Sequence, residues 1–365
     1  MAIKSYYYNI EDDLNAYPDA WAYIIIGGRN TGKTYGALKL MHLTKNKHTF
    51  VKRTIDDVEI LCSGRGALGK AKKQEYSIDL SPYKSINRDL GTNIEAFQIK
   101  RGLGAFFECD RNDEPVGTPE GYLLALSAVA KFKGFDLSDC NYLIFDEFIP
   151  QPWERVNRKE GEQVMDLYKT VNRDREHRGR PPLKLLALAN ATEASNPLSN
   201  VLEITDTIVD MENKGIETYY DEERGIFIRR LVMTSAFAEV EQSSKMYKAM
   251  KNTQWGAMAF GNSFGYNDFS AVKQISVKHM TPVLCLQYKN NMWFVYERDG
   301  KYVVTKKVSN KKDIPFYDLN KENEQKRFFT DWIIPLRYAS IEGRLKFETY
   351  TMYDVIMSYK KYFKI

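Results

Sequence analysis

The run Gly27-Gly28-Arg29-Asn30-Thr31-Gly32-Lys33-Thr34 constrains this chain more than any other stretch. It fits the pattern of glycine, four residues, then Gly-Lys-Ser/Thr without a substitution, with Gly27, Gly32, Lys33 and Thr34 in the fixed places. Glycines there let backbone N–H groups curl around phosphate oxygens, and a following helix turns its partly positive N-terminus to the same anion. Lys33 then reaches the β and γ phosphates and Thr34 holds Mg²⁺. The flanks agree. Residues 23–26 are a short, mostly β-branched run suited to a buried parallel strand, and residues 35–43 continue as a helix with Leu38, Met41 and His42 on one side. A glycine turn that merely contains a lysine is the plain alternative, and this strand-loop-helix context weighs against it.

A second stretch, Asn141-Tyr-Leu-Ile-Phe-Asp-Glu-Phe148, is an apolar strand ending in two carboxylates. Downstream of a phosphate loop, Asp146 is the residue to hold the Mg²⁺ water shell, and Glu147 the one to polarise an attacking water. A glutamate directly after that aspartate favours the additional-strand, ring-forming ATPase branch over a kinase or small GTPase, and no guanine-reading Asn-Lys-x-Asp is present. Asn190, at the end of the apolar run 183–189, can sense a γ-phosphate or simply form a turn. Arg173-Asp-Arg-Glu-His-Arg178 follows a helical pattern over residues 161–172. Such a cluster either complements the helix dipole or inserts an arginine finger into a neighbouring subunit's nucleotide. Lys52 and Arg53 end a second strand and face either phosphate, a neighbour or solvent; Tyr17 and Trp21 either stack on an adenine or pack under the sheet.

With 365 residues, 43% of them hydrophobic, the chain can build two cores. A net charge of +5 permits nucleic-acid contact without arguing for it. Four scattered cysteines without CxxC spacing imply free thiols in a reducing compartment, and neither a signal segment nor a membrane-length apolar run is seen, so a cytosolic, membrane-free protein is expected. Strands and helices interspersed over residues 1–205 predict an open parallel sheet wound on both faces, the ATPase domain. Residues 63–121, rich in glycine and lysine, look like an insertion, with a hairpin across Gly102 and a solvated or DNA-facing loop over residues 70–73. Residues 206–255 read as a linking segment with one hairpin. Residues 256–365 read as a small second domain, with a three-strand meander and a final amphipathic helix over residues 352–363.

In combination the chain resembles the double-stranded DNA-packaging ATPases, or encapsidation proteins, of small podoviruses with terminal-protein-capped genomes. The resemblance spans nearly the whole chain. It rests on Ile26 to Thr34, Leu143 to Phe148, Arg173-Asp-Arg-Glu176, Leu188-Ala-Asn-Ala191 and Arg344-Leu-Lys-Phe347. It implies an α/β P-loop ATPase with a smaller α+β, RNase H-like vestigial nuclease domain that binds DNA without cutting it. Consistent with lost cutting, the first strand of that domain, residues 283–288, carries no aspartate. It also implies a pentameric ring at the portal (connector) of a procapsid in the host cytoplasm, with or without a packaging RNA, coupling ATP and Mg²⁺ to translocation of DNA. By the same resemblance Arg173 is the trans-acting finger and Lys133 a second basic residue acting across the subunit interface. Two other classes compete: an ATP-gated assembly or scaffold protein with slow turnover, and a terminase-like motor that also cuts DNA.

Overall fold

The computed structural model describes residues 7–62, 80–132, 134–151, 153–154, 156–231, 239, 242–260, 264, 267, 269–273, 275–311 and 313–364. Two compact units divide them, one of residues 1–201 with 210–266, the other of residues 202–209 with 267–365.

The first unit is built on a nine-stranded sheet in the order β3-β4-β5-β2-β6-β7-β1-β9-β8. The six central strands are β5 (Gly121–Ala125), β2 (His48–Lys52), β6 (Tyr142–Asp146), β7 (Lys184–Asn190), β1 (Ala22–Gly27) and β9 (Ile226–Leu231), all mutually parallel. Every residue of β1 is buried, as a strand covered on both faces requires. Antiparallel strands finish each edge: β4 (Leu103–Glu108) and β3 (Ile94–Lys100) on one side, β8 (Thr218–Asp221) on the other.

Two sequence expectations change here. Residues 206–255, read as a linker, supply β8 and β9, and β9 lies directly beside β1, with Gly27 opposite Leu231. The predicted hairpin across Gly102 forms as β3 and β4, but β4 pairs with β5, so these residues extend the main sheet. The loop expected over residues 70–73 lies outside the described residues. The helix predicted from residue 161 runs Glu160–Asn172. It comes so close to the short helix Pro197–Val201 that a Cβ on Gly161 would sit 2.2 Å from the Pro197 carbonyl oxygen. Tyr17 stacks on Phe227, and Trp21 meets Tyr168 edge-on and donates to the Arg224 carbonyl, so both pack at the start of β1 rather than near its loop end.

In the second unit β10 (Thr281–Tyr288), β11 (Asn291–Arg298) and β12 (Lys301–Thr305) form the predicted meander. Its second turn places Asp299 and Gly300 at positive φ, as a two-residue hairpin turn demands. Parallel strands β13 (Phe316–Asp318) and β14 (Leu345–Phe347) join β10 and β12 to give the order β13-β10-β11-β12-β14. Leu284, Trp293, Val304, Phe328, Leu336 and Phe347 belong to a core on one face, to which the last helices contribute Val355 and Tyr359. The predicted final helix breaks at Ser358 into Tyr350–Met357 and Tyr359–Tyr362. No helix of the described residues is long and apolar enough to cross a membrane, and the four cysteines are buried and form no disulfide.

His48, at the start of β2, is fully buried beside Phe106, with its Nε2 3.3 Å from the Tyr83 hydroxyl. Burial pushes its pKa down to about 4 from 6.5, so the folded chain keeps the ring neutral where the unfolded chain protonates it. Stability is therefore whole above pH 6.5 and falls as the pH drops from there to about 4, by up to roughly 3 kcal/mol. Denaturant unfolding across that range should give a shallower pH slope for His48→Gln than for the unaltered chain; equal slopes would place the acid sensitivity elsewhere.

Candidate functional site

The parallel register brings the ends of β1, β7 and β6 to one edge of the sheet: Gly27 pairs with Asn190, and Leu188 pairs with Asp146. Between β1 and the helix Lys33–Leu43 the glycine loop turns with Asn30 at φ +59° and Gly32 at φ +87°. No side chain caps that helix and its first turn has no acidic residue, so the N–H groups that helix geometry leaves without intrahelical partners turn towards the loop.

A cleft of about 310 Å³ opens over the loop. Arg29, Asn30, Thr31, Gly32, Lys33, Thr34 and Tyr35 line it from the loop and helix, Asp146 and Glu147 from β6, and Leu188, Ala189 and Asn190 from β7. Gly27 and Gly28 lie behind this lining, and their carbonyls accept from the Lys33 ammonium at 3.2 and 2.7 Å. The same ammonium donates to Thr31 Oγ1 and Asn190 Oδ1, both at 3.2 Å. Burial pushes the Lys33 pKa down to about 8; Asp146 and Glu147 oppose the shift and Arg29 adds to it. A polyanion in the cleft would reverse that loss. An uncapped helix end, a buried lysine and a backbone loop together make a cradle for a chain of phosphates.

Thr34 Oγ1 donates to Asp146 Oδ1 at 2.7 Å, which sets two hard oxygen ligands side by side. That pair fits Mg²⁺, which takes one or two carboxylates and fills its remaining positions with substrate phosphates and water. Among the described residues no group of three or more His, Cys, Asp or Glu forms a site of the all-protein kind.

Glu147 leaves β6 with φ +58°, a left-handed backbone that a non-glycine residue adopts at a cost of about 1 kcal/mol. Two cations hold it. Lys52 at the end of β2 bridges Asp146 Oδ2 at 3.2 Å and Glu147 Oε2 at 2.8 Å. Arg53 donates to the Glu147 and Phe148 carbonyls and pairs with Glu154 and the buried Glu160. Burial alone would raise the Glu147 pKa, but Lys52, with help from Arg53, holds it below the usual range; the two carboxylates in turn keep Lys52 charged despite its burial. Glu147 is thus an ionised acceptor at the mouth of the cleft.

The basic cluster lies elsewhere. Arg173 ends the helix Glu160–Asn172 with φ +45°, donates to the Phe135 carbonyl at 2.6 Å and lies 3.6 Å from Asp136. Its neighbour Arg175 is 3% exposed and donates to the carbonyls of Ser138, Cys140 and Pro181 and to Asn141 Oδ1, a structural tie at the beginning of β6. Arg173 therefore stands at the far end of a 13-residue helix from Glu160, the residue that pairs with Arg53 beside Glu147, about 20 Å along the helix axis. It is not among the residues that line the cleft. Lys133 lies outside the described residues.

Sequence reasoning named Lys52 but not its pairing, which depends on β2 and β6 being neighbours. It missed Tyr35, whose signal was its position directly after Thr34. The Lys52 bridge can be tested alone. Lys52→Met should cost about 1–3 kcal/mol at pH 7, because it leaves two carboxylates without their cation. The lowered Glu147 pKa contributes stability above the ordinary carboxylate range that is lost as the pH falls through it, so the gap to the unaltered chain should close below about pH 4. Thermal or denaturant unfolding at both pH values reads the difference.

No protein-family model matches the chain, and no curated protein matches its sequence. Among solved structures it superposes on a chain of the Phi-28 gp11 DNA packaging motor with a TM-score of 0.59 at 16% identity, over 98% of each chain. It also superposes on a chain of the bacteriophage Phi-29 viral genome packaging motor assembly with a TM-score of 0.60 at 15% identity, over 98% of this chain and 100% of that one. At these identities the likeness is one of fold, and the fold of this chain is that of bacteriophage DNA packaging motor proteins.

Proposed function

We propose that the chain is a genome-packaging motor that hydrolyses ATP to translocate double-stranded DNA into a procapsid. One observation carries this reading: Lys33, Thr34, Asp146, Glu147 and Asn190, from three separate strand ends, gather on one cleft in a chain with a packaging-motor fold. In this reading the cleft is a P-loop site with Walker A and Walker B motifs, and the loop amides and Lys33 bind the triphosphate. Thr34 and Asp146 would hold Mg²⁺, which neutralises charge on the phosphate oxygens. Glu147, ionised and at the mouth, orients the attacking water and takes its proton. Asn190, joined to Lys33, senses the terminal phosphate.

Arg173 then acts as an arginine finger in trans, since it is not among the residues lining its own cleft. This supports a closed homo-oligomer, a pentameric ring, in which one subunit completes the next; Lys133 is proposed as a second basic residue at that contact. DNA is the proposed cargo. Residues 267–365 hold 18 Lys and Arg against 11 Asp and Glu, a balance suited to sequence-independent phosphate contacts. We read this unit as a nuclease-like DNA-binding domain without cleavage activity, and the portal, with or without a packaging RNA, as the docking partner in the host cytoplasm.

Hydrolysis assays with and without DNA test the reading. Lys33→Ala should abolish turnover. Glu147→Gln should still bind ATP but turn over on the order of a hundredfold or more slowly; unimpaired hydrolysis by that variant removes Glu147 from the mechanism. Turnover that ignores added DNA would favour an ATP-gated assembly protein, and nicking of plasmid with Mg²⁺ or Mn²⁺ a cutting motor. For Arg173 the measurement is subunit mixing: Arg173→Ala and Lys33→Ala chains, each inactive, should partly restore hydrolysis together, and no recovery at any ratio argues against a shared site.

A further inference from the structure

The cleft has an aromatic corner that the hydrolytic residues do not use. Tyr35 is the one aromatic side chain among the described residues lining the cleft. Its hydroxyl donates to Asp89 at 2.9 Å and the Lys39 ammonium lies over one face, 5.5 Å from the ring centre, so the ring is held in place with its other face left to the cleft side. Tyr7 stands beside it, with ring centres 6.1 Å apart and planes inclined at 45°.

The N-terminal segment is fastened to the loop. The Tyr8 N–H donates to the Thr31 carbonyl at 3.0 Å, and the Tyr8 hydroxyl donates to the buried Asp13, which also pairs with Arg229 of β9. The contact is tight: a Cβ on Gly32 would lie 2.7 Å from the Tyr7 Cβ. The Tyr7 side chain is nevertheless half exposed, at 50%. Its ring therefore stands beside Tyr35 at the rim of the cleft, open on one side to a ligand.

The two walls of the cleft differ in chemistry. Asp146, Glu147 and Asn190, from β6 and β7, mark where the terminal phosphate of a triphosphate belongs. Tyr35, with Tyr7 and Asp89 behind it, comes from other elements and offers a π surface. We infer that Tyr7 and Tyr35 form the seat of the nucleobase, so that the ligand spans from this corner to Glu147. The inference rests on the triphosphate reading of the cleft and deepens it: the substrate class is a nucleoside triphosphate held at both ends, with the base fixed by stacking. Stacking on an aromatic side chain strengthens binding by roughly tenfold or more, because every base has a π face.

Equilibrium binding of ATP and of inorganic tripolyphosphate, each with Mg²⁺, to the full chain separates the two levels. Tyr7→Ala should weaken ATP about tenfold or more and leave tripolyphosphate within about twofold. Tyr7→Phe, which keeps the ring, should retain ATP affinity, and Tyr35→Ala should repeat the ATP-selective loss. Retained tripolyphosphate binding also reports that each variant is folded. Equal weakening of both ligands would make Tyr7 a brace for the loop and overturn the inference, as would an unaltered chain that binds both ligands equally. If the unaltered chain binds neither ligand, the triphosphate reading itself fails.

Discussion

The hydrogen bond from Thr34 to Asp146 joins residues 112 positions apart, and the arrangement of the first unit is what makes it possible. Thr34 follows the loop that leaves β1 and Asp146 ends β6, two parallel strands with β7 between them. Parallel pairing fixes direction, so every strand end at one edge of the sheet delivers its next residue to one place. Gly27, Lys52, Asp146 and Asn190 are such deliveries, and the cleft is the sum of them. A slip of one residue in β6 would turn the Asp146 side chain to the other face of the sheet and take the acidic half out of the site.

This dependence explains which features the amino-acid sequence makes legible. The glycine loop and the apolar strand ending in Asp146 and Glu147 are local patterns, each readable without knowing its neighbours. The three-strand meander is equally local, since tight turns dictate who pairs with whom. Strand β9 is different. Residues 226–231 look like half of a hairpin, which they are, but their parallel pairing with β1, some 200 positions upstream, leaves no mark on either segment. Lys52 has the same problem: its charge is plain in the sequence, whereas its two acidic partners appear only once β2 is set beside β6. Within the run from Arg173 to Arg178, one arginine is buried as a tie and another stays at the surface. The helix end alone decides between them, through the left-handed turn at Arg173.

The site also stores a conflict among its own groups. Lys33 is buried among carbonyls and loses basicity; Glu147 is held ionised in a strained backbone by Lys52 and Arg53. Neither arrangement is the cheapest available to the residues involved. Both are what a site shows when its geometry is set before its ligand arrives, with the fold supplying the electrostatic work in advance.

Arg53 has one more consequence, which is mechanical. It grips the carbonyl of Glu147 and the side chain of Glu160 at once, and Glu160 begins a helix of 13 residues that ends at Arg173. A helix of that length is a stiff rod of about 20 Å. It runs from Glu160, which shares Arg53 with Glu147, to Arg173, which donates to the Phe135 carbonyl. A tilt of only about 3° at the Glu160 end displaces the Arg173 end by about 1 Å over that length, a third of a hydrogen bond. Through Arg53, Glu147 and Arg173 are tied to the two ends of one helix.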